Sequence, residues 1–328
     1  MKNGYAKKKL WSIVLAGGEG TRLGSFVHRW LGRSRPKQFC TFVGTRSLLQ
    51  HTVDRAARLT SAEQSVLVIA QTHRQEAMTQ LDGRKVGTVL FQPANRDTGA
   101  GVFLPLTYVR ARDPLATVVI YPSDHFVYPE ERFLATVREA VQVAGRLQDR
   151  IVLLGVAPDR LERDYGWIVP GARLPVAGPN PILAVRTFIQ KPTAQQADDA
   201  LANHALWNTM VVVAPVKTLW ELGQQCFPEM VERFERLGQA IGTSEEARVL
   251  KAIYRAMPAR NFSSDLLQQA PDRVVVTELT NALWSDWGRP ERIAEALRRI
   301  GRPPAFPLDV LASPFAPISI GNEVGAKA

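Results

Sequence analysis

Short, unbroken runs of Val, Ile and Leu recur along the first half of the chain: Trp11–Leu15, Ser65–Ala70, Thr88–Phe91, Thr117–Tyr121 and Ile151–Val156. A strand with one wet face alternates apolar and polar residues. These runs do not alternate, so both of their faces need cover. Amphipathic stretches near 47–58, 73–81, 98–112 and 130–147 separate them and supply that cover. The pattern predicts an α/β fold: a doubly wound, mostly parallel sheet with helices on both faces. After residue 160 the rhythm changes. Tyr165–Pro170, Ile182–Ile189, Leu206–Val213 and Arg273–Thr277 read as strands. Helices are expected near 216–225, 229–239, 245–256 and Pro290–Ile300. From Gly301 the chain is rich in proline, at 303, 304, 307, 314 and 317. That tail is expected to wrap the surface or to lack fixed order.

Composition removes several classes of function. The chain has 328 residues, 45% of them hydrophobic, ample for a buried core. No run reaches the ~18 apolar residues that a membrane helix needs, and no signal region follows the lysines of MKNGYAKKKL. No membrane association and a cytoplasmic location are therefore expected. The two cysteines, Cys40 and Cys226, and the five histidines fall in no metal or redox spacing. Forty-one Lys and Arg face 31 Asp and Glu, a net charge of +10 that suits a polyanionic partner. Nucleic acid is not expected, because the basic clusters carry neither interleaved aromatics nor a recognition helix.

The local feature richest in chemistry is LAGGEGTRL, Leu15 to Leu23, directly after the first strand. Gly17, Gly18 and Gly20 let a backbone approach a ligand closely, and the run Leu15, Ala16, Gly17, Gly18, Gly20, Thr21 can present successive N–H groups to an anion. Arg22 adds a guanidinium suited to phosphate. The loop is not a P-loop, and GxGxxG fails because Leu23 stands at the last glycine. Arg29, Arg33, Arg35 and Lys37 follow in what reads as one long loop around Pro36. They form either a solvated basic face or a clamp on a polyphosphate.

LAGGEGTRL followed by RPKQF resembles the signature of sugar-phosphate nucleotidylyltransferases, and the KQF ending resembles their mannose-1-phosphate guanylyltransferase branch. QPANRDTGAG, PSDHFV, RDYGWI, FIQKP, LWNT and WSDWG are similar to further motifs of that branch and occur in the same order, over about residues 11 to 290. The resemblance implies a Rossmann-like nucleotidyltransferase domain over 9–300. Its nucleotide-binding half is about 9–160, its sugar-phosphate half about 161–300, and the tail is 301–328. It implies a Mg²⁺-dependent enzyme that joins a nucleoside triphosphate, GTP first, to a sugar 1-phosphate, mannose 1-phosphate first, giving GDP-mannose and pyrophosphate.

By the same resemblance, Arg22, Lys37 and Asp124 are catalytic, and Asp124 and Asp286 hold the metal. Gln92, Asn95 and Arg96 help the glycine loop bind the nucleotide. Asp164, Gly166, Gln190, Lys191 and Asn208 bind the sugar phosphate. Read by themselves, without the resemblance, Asp124 and Asp286 are better suited to turns or caps than to a metal. His125 is expected beside the site rather than as a ligand, Asp265 to cap a helix, and Trp207, Trp284 and Trp287 to line core or pocket.

The chain departs from the pattern in three places. Gln190 replaces the usual glutamate, LWNTMVV lacks the glycine after the serine-like position, and Gly99 and Gly101 alter a T-A-P-A run. The chain also stops without the β-helix or cupin-like domain of many relatives. A regulatory homologue that binds nucleotide sugar without making it is the alternative. A glycosyltransferase would show a D-x-D motif where Ser123-Asp124-His125 stands. A homodimer stays open.

Overall fold

A computed structural model describes residues 10–312. Prolines 314 and 317 and the N-terminal lysines lie outside them. The first half contains β1 (Leu10–Ala16), α1 (Gly24–Leu31), α2 (Leu48–Ala56), β2 (Ser65–Ala70), α3 (Arg74–Leu81), β3 (Thr88–Gln92), α4 (Asp97–Arg112), β4 (Thr117–Pro122), β5 (Phe126–Tyr128), α5 (Glu130–Arg146) and β6 (Ile151–Val156). The second half contains β7 (Gly166–Arg173), β8 (Ile182–Gln190), α6 (Ala194–Ala202), β9 (Leu206–Pro215), α7 (Val216–Cys226), α8 (Pro228–Ala240), α9 (Glu246–Ala256), β10 (Val274–Glu278), β11 (Leu283–Ser285), α10 (Pro290–Arg299) and α11 (Asp309–Ala312). Local chemistry sets the ends of several helices. Ser47 and Thr193 form capping boxes with Gln50 and Gln196, and Pro228 and Pro290 open α8 and α10.

Nine strands form one sheet in the order β3-β2-β1-β4-β9-β6-β10-β8-β7. The first four run parallel, as do β6 and β10, whereas β9 is antiparallel to β4 and β6, and β8 is antiparallel to β10 and β7. The expectation of a mostly parallel sheet is therefore corrected: the sheet is mixed. Unbroken apolar runs demand burial on both faces but say nothing of direction, and β9 is as apolar as its parallel neighbours.

Helices cover both faces, as the runs require. Ile13, Val66, Val68, Val118 and Ile120 pack on one side with Phe103 of α4, Trp220 of α7 and Phe234 of α8. The alternate residues Val14, Leu67, Ile69 and Val119 pack on the other with Leu49, Ala77 and Phe133 of α2, α3 and α5.

In the second half β7 pairs with β9 as well as β8 (Trp167 with Trp207, Ile168 with Leu206), so β9, β6, β10, β8 and β7 form a closed ring of pairings. The amino end of β9 belongs to that ring, and its carboxyl end pairs with β4. Short strands β5 and β11 pair separately. A third cluster beneath α1 and α10 stacks Phe126 on Trp287 at 4.2 Å and sets Phe26 edge-on to Phe306 at 5.2 Å. The described part of the proline-rich tail is thus packed down: Ala305 donates to the Phe42 carbonyl and Phe306 is buried.

Candidate active site

The crossovers leave β1 toward β2 on one side and reach β4 on the other, so the sheet has a switch point between β1 and β4. Ligands of open α/β sheets bind at that edge. The glycine loop leaves β1 there, and Ser123-Asp124 leaves β4 there, tied together by Ser123 N donating to the Leu15 carbonyl at 3.0 Å. Gly20 has φ of 63°, and a Cβ on it would stand 2.7 Å from the backbone nitrogen of Lys37. A Cβ on Gly17 would meet Oε1 of Gln92 at 2.3 Å. The glycines thus let two other segments close in on the loop.

One of these segments is the turn Lys37–Phe39. Its buried Gln38 donates through Nε2 to the carbonyl of Gly18 at 2.6 Å and that of Ala16 at 3.3 Å, pinning the loop's path. The Lys37 side chain is 4% exposed; its Nζ lies 3.0 Å from Asp124 Oδ2 and donates to the Asp286 carbonyl. The expectation that Arg29, Arg33, Arg35 and Lys37 share one loop is corrected. Arg29 lies in α1, which ends at Gly32 in left-handed conformation. Arg33 and Arg35 face Glu76, at 3.6 and 3.4 Å. Only Lys37 of the four reaches this edge of the sheet.

Asp286 follows β11 and is almost fully enclosed. Its Oδ1 accepts from the Tyr165 hydroxyl, the Gly288 N–H and Arg292 Nη1, each at 2.8 Å. Its Oδ2 accepts from Arg22 Nη2 at 2.9 Å. Burial pushes this carboxyl's pKa up, but Lys37, Arg22 and Arg292 outweigh burial and hold it well below the usual range. Asp124 behaves alike: burial raises it, and Lys37 with His125 brings the net shift down. Both are carboxylates at neutral pH. His125 is pushed down by burial, and its Nδ1 meets the Thr209 carbonyl at 3.1 Å.

Mg²⁺ takes one or two carboxylates and completes its shell with phosphate oxygens and water. Asp124, about a third exposed, fits that role with Oδ1, while Asp286 fits it with Oδ2 once Arg22 lets go. Arg22 is 52% exposed where Arg292 is 8% exposed, so Arg22 is the freer of the two to change partner. Among the described residues no group of three or more His, Cys, Asp or Glu is arranged as a self-sufficient metal site, so a metal here would rely on ligand oxygens.

Of the predicted nucleotide residues, Leu15, Gly17, Gly18, Gln92 and Asn95 line one cavity of about 200 Å³ together with Thr98, whereas Ala16, Gly20, Thr21 and Arg96 do not line it. Gln92 Nε2 donates to the Tyr254 hydroxyl at 3.1 Å, and Asn95 Nδ2 reaches Glu19 at 3.4 Å. Arg96 points elsewhere: its guanidinium donates to the Tyr254 and Arg255 carbonyls at the end of α9. Thr21 is exposed in the turn that carries Arg22.

The predicted sugar-phosphate residues lie on the ring of strands (Gly166, Gln190, Asn208) or next to its strand ends (Asp164, Lys191). Gly166 pairs with Gln190 at the β7–β8 end, and Lys191 follows, exposed and with φ of 50°. Asn208 pairs with Gly155 and is buried. Asp164 is occupied: Arg289 donates to its Oδ2 twice, at 2.7 and 3.1 Å, and Arg292 once at 3.3 Å. Asp265 accepts from the Asn261 N–H at 3.0 Å, a local cap as expected. Trp207 and Trp284 stand edge-on to Tyr165 at 5.0 and 5.2 Å, walls rather than platforms.

Sequence reasoning missed Gln38, Glu162, Tyr165 and Arg292. Gln38 and Tyr165 sit inside the quoted motifs KQF and RDYGWI, where their role was readable. Arg292 is a helical arginine like any other until the fold sets it over the Tyr165 ring at 4.8 Å and against Glu162, Asp164 and Asp286.

A nucleotidyl transferase family profile matches residues 11–302. The xanthan biosynthesis protein XanB of Xanthomonas campestris pv. campestris (strain B100) is 28% identical over 307 residues, 91% of this chain and 62% of that protein. Mannose-1-phosphate guanylyltransferase of Escherichia coli K12 is 28% identical over 294 residues, 86% of this chain and 59% of the relative. The chain thus spans about three fifths of the length of these curated relatives. A solved structure from Thermus thermophilus, described as a mannose-1-phosphate geranyltransferase, superposes with a TM-score of 0.73 at 26% identity, covering 87% of this chain and 79% of that one. No helix among the described residues is long and apolar enough to cross a membrane. With the profile spanning both the parallel strands and the ring, the chain belongs to the nucleotidyl transferase family.

Proposed function

We propose that this protein transfers a nucleotidyl group from a nucleoside triphosphate, GTP first, to a sugar 1-phosphate, mannose 1-phosphate first, with release of pyrophosphate. The observation that carries the reading is the meeting of Lys37, Asp124, Asp286 and Arg22 beside the glycine loop at the β1–β4 switch point. Arg22 and Lys37 lie near each other in sequence and meet Asp124 and Asp286 from far along the chain; two are cationic and two anionic, and they neutralise one another. Such a set suits a reaction between anions. A phosphate oxygen of the sugar 1-phosphate attacks the α-phosphorus, the bond to the β-phosphate oxygen breaks, and pyrophosphate carries off the electron pair.

In that reading the cavity bounded by Leu15, Gly17, Gln92 and Asn95 takes the base, and Gln190, Lys191 and Asn208 take the sugar phosphate. Asp124 and Asp286 would hold Mg²⁺, which supplies charge neutralisation to the phosphate oxygens when bound. Arg22 exchanges its carboxylate partner for a phosphate oxygen, which bares Asp286 Oδ2. Lys37, buried and doubly held, keeps its ammonium fixed where charge develops. Arg292 and Tyr165 keep the other Asp286 oxygen in place.

The test incubates the protein with Mg²⁺ and each nucleoside triphosphate against mannose, glucose, fucose and N-acetylglucosamine 1-phosphates, with pyrophosphate read out. Release with GTP and mannose 1-phosphate is expected. Folded protein that binds a nucleotide sugar and releases no pyrophosphate across the matrix overturns the reading in favour of a regulatory homologue.

A further inference from the structure

The end of α9 and the residues after it are clasped to the segment that follows β3. Arg96 Nε donates to the Tyr254 carbonyl at 2.8 Å and its Nη2 to the Arg255 carbonyl at 3.3 Å, satisfying carbonyls that the last turn of a helix leaves open. Farther along, Arg260 N donates to the Arg96 carbonyl at 3.3 Å, Gly99 N to the Arg260 carbonyl at 2.8 Å, and Phe262 N to Thr98 Oγ1 at 2.8 Å. A Cβ on Gly99 would stand 2.7 Å from the Arg260 carbonyl oxygen. The glycine that departs from the T-A-P-A run therefore admits this clasp.

The clasp brings Tyr254 to Gln92. The Tyr254 ring is buried edge-on to Phe234 of α8 at 6.4 Å, and its hydroxyl accepts from Gln92 Nε2 at 3.1 Å. Burial pushes the hydroxyl's pKa up, so it stays protonated at neutral pH. An amide has a donor end and an acceptor end. With Nε2 engaged by Tyr254, the acceptor Oε1 is the atom that a Cβ on Gly17 would meet first. Gln92 and Gly17 both line the cavity assigned above to the base. Without the hydroxyl, a half turn of the amide would exchange its two ends.

We propose that Tyr254 is a positioning residue for base selection: it holds the Gln92 amide with its acceptor oxygen toward the nucleotide cavity, and so favours a purine that presents N–H donors there, guanine over adenine. Guanine offers a ring N–H and an amino group on one edge, where adenine offers a ring nitrogen acceptor and a C–H. This rests on the reading that the cavity takes the base of a nucleoside triphosphate. Tyr254 itself does not line the cavity and acts through Gln92.

The experiment measures kcat/KM for GTP and for ATP, with the preferred sugar 1-phosphate saturating, in the native protein, Tyr254→Phe, Gln92→Leu and the double variant. The native protein is expected to prefer GTP. Tyr254→Phe keeps the ring and loses the bond, and should lower the GTP-to-ATP ratio by ~10-fold or more, the scale of a misread base edge. Its KM for the sugar 1-phosphate should stay native. Gln92→Leu should lower the ratio as well, and it tests the acceptor should Tyr254→Phe lose its fold. In the Gln92→Leu background, Tyr254→Phe should change the ratio no further, because the two act as one unit. A merely structural tyrosine would lower the Tm, and the rates with both triphosphates, at a constant ratio. An unchanged ratio in an active Tyr254→Phe protein, a full second fall in the double variant, or a native preference for ATP overturns the inference and leaves the nucleotidyl transfer reading intact. A native protein that releases no pyrophosphate with any pair overturns that reading, and this inference with it.

Discussion

The two halves of the sheet build their part of the cleft differently. Around β3-β2-β1-β4 the strands are parallel and open-ended, and the site is largely backbone: a glycine loop, pinned by Gln38, with a cavity beside it. Around β9-β6-β10-β8-β7 the strands close on themselves, and the candidate site residues are side chains: Asn208, Gln190 and the paired charges of Asp164 with Arg289 and of Glu162 with Arg292. A backbone-built site tolerates little change at Gly20, where a Cβ would collide with the Lys37 backbone, while at Gly17 it would meet the end of the Gln92 side chain. A side-chain site can be rewritten one residue at a time. The departures at Gln190 and Met210 fall in the second half, and those at Gly99 and Gly101 fall in α4 beside the nucleotide cavity, where glycine is added rather than lost.

The largest effect that can break this comparison is on Asp124, which lies between the two halves. Asp124→Asn should keep the fold and lower turnover by on the order of 10²- to 10³-fold, because a neutral amide is a poor Mg²⁺ partner; near-native pyrophosphate release would remove Asp124 from the chemistry. Arg22→Ala and Lys37→Ala come next and should separate from each other. Both should lower kcat/KM by roughly 10²-fold. Only the buried Lys37 should also lower stability, by about 1–3 kcal/mol, since its loss leaves the Asp286 carbonyl unpaired. Equal stability of the two variants in urea unfolding would contradict the different burial of the two cations.

Gly20→Ala tests the backbone-built half directly. The left-handed φ and the approach of Lys37 N should together lower stability by about 1–3 kcal/mol and raise the KM for triphosphate more than that for sugar phosphate. A variant with native kinetics would mean that the loop is looser than its geometry indicates.

The smallest effect is the acid dependence of Asp286. Its folded-state pKa is depressed, so its ion pairs add stability that is fully present above the unfolded value of about 4 and is lost as pH falls below it. Asp286→Asn should flatten the fall in Tm below about pH 4 while leaving its slope between about pH 6 and 8 unchanged. A parallel acid limb in variant and native protein would show that other carboxylates dominate there.

Much of this molecule was legible in the amino-acid order. The unbroken runs Ser65–Ala70 and Ile151–Val156 are strands with those limits, since apolar runs of that length flanked by polar turns have few other solutions. Gly17 and Gly20 were legible because a loop that admits Gln92 and Lys37 so closely leaves little room for a Cβ, and LAGGEGTRL carries that demand in its letters; a Cβ on Gly18 would meet open space. Direction, partner and distance were not legible. β9 runs antiparallel with the same aliphatic letters as its neighbours. Arg33 and Arg35 turn to Glu76 while Lys37, in the same basic run, turns to Asp124 and Asp286. Arg292 joins Asp164 and Asp286 only after the chain has closed its ring. Periodicity and loop chemistry are local and survive in the sequence by itself; strand direction and ion-pair choice depend on which segments meet, and only the tertiary structure decides that.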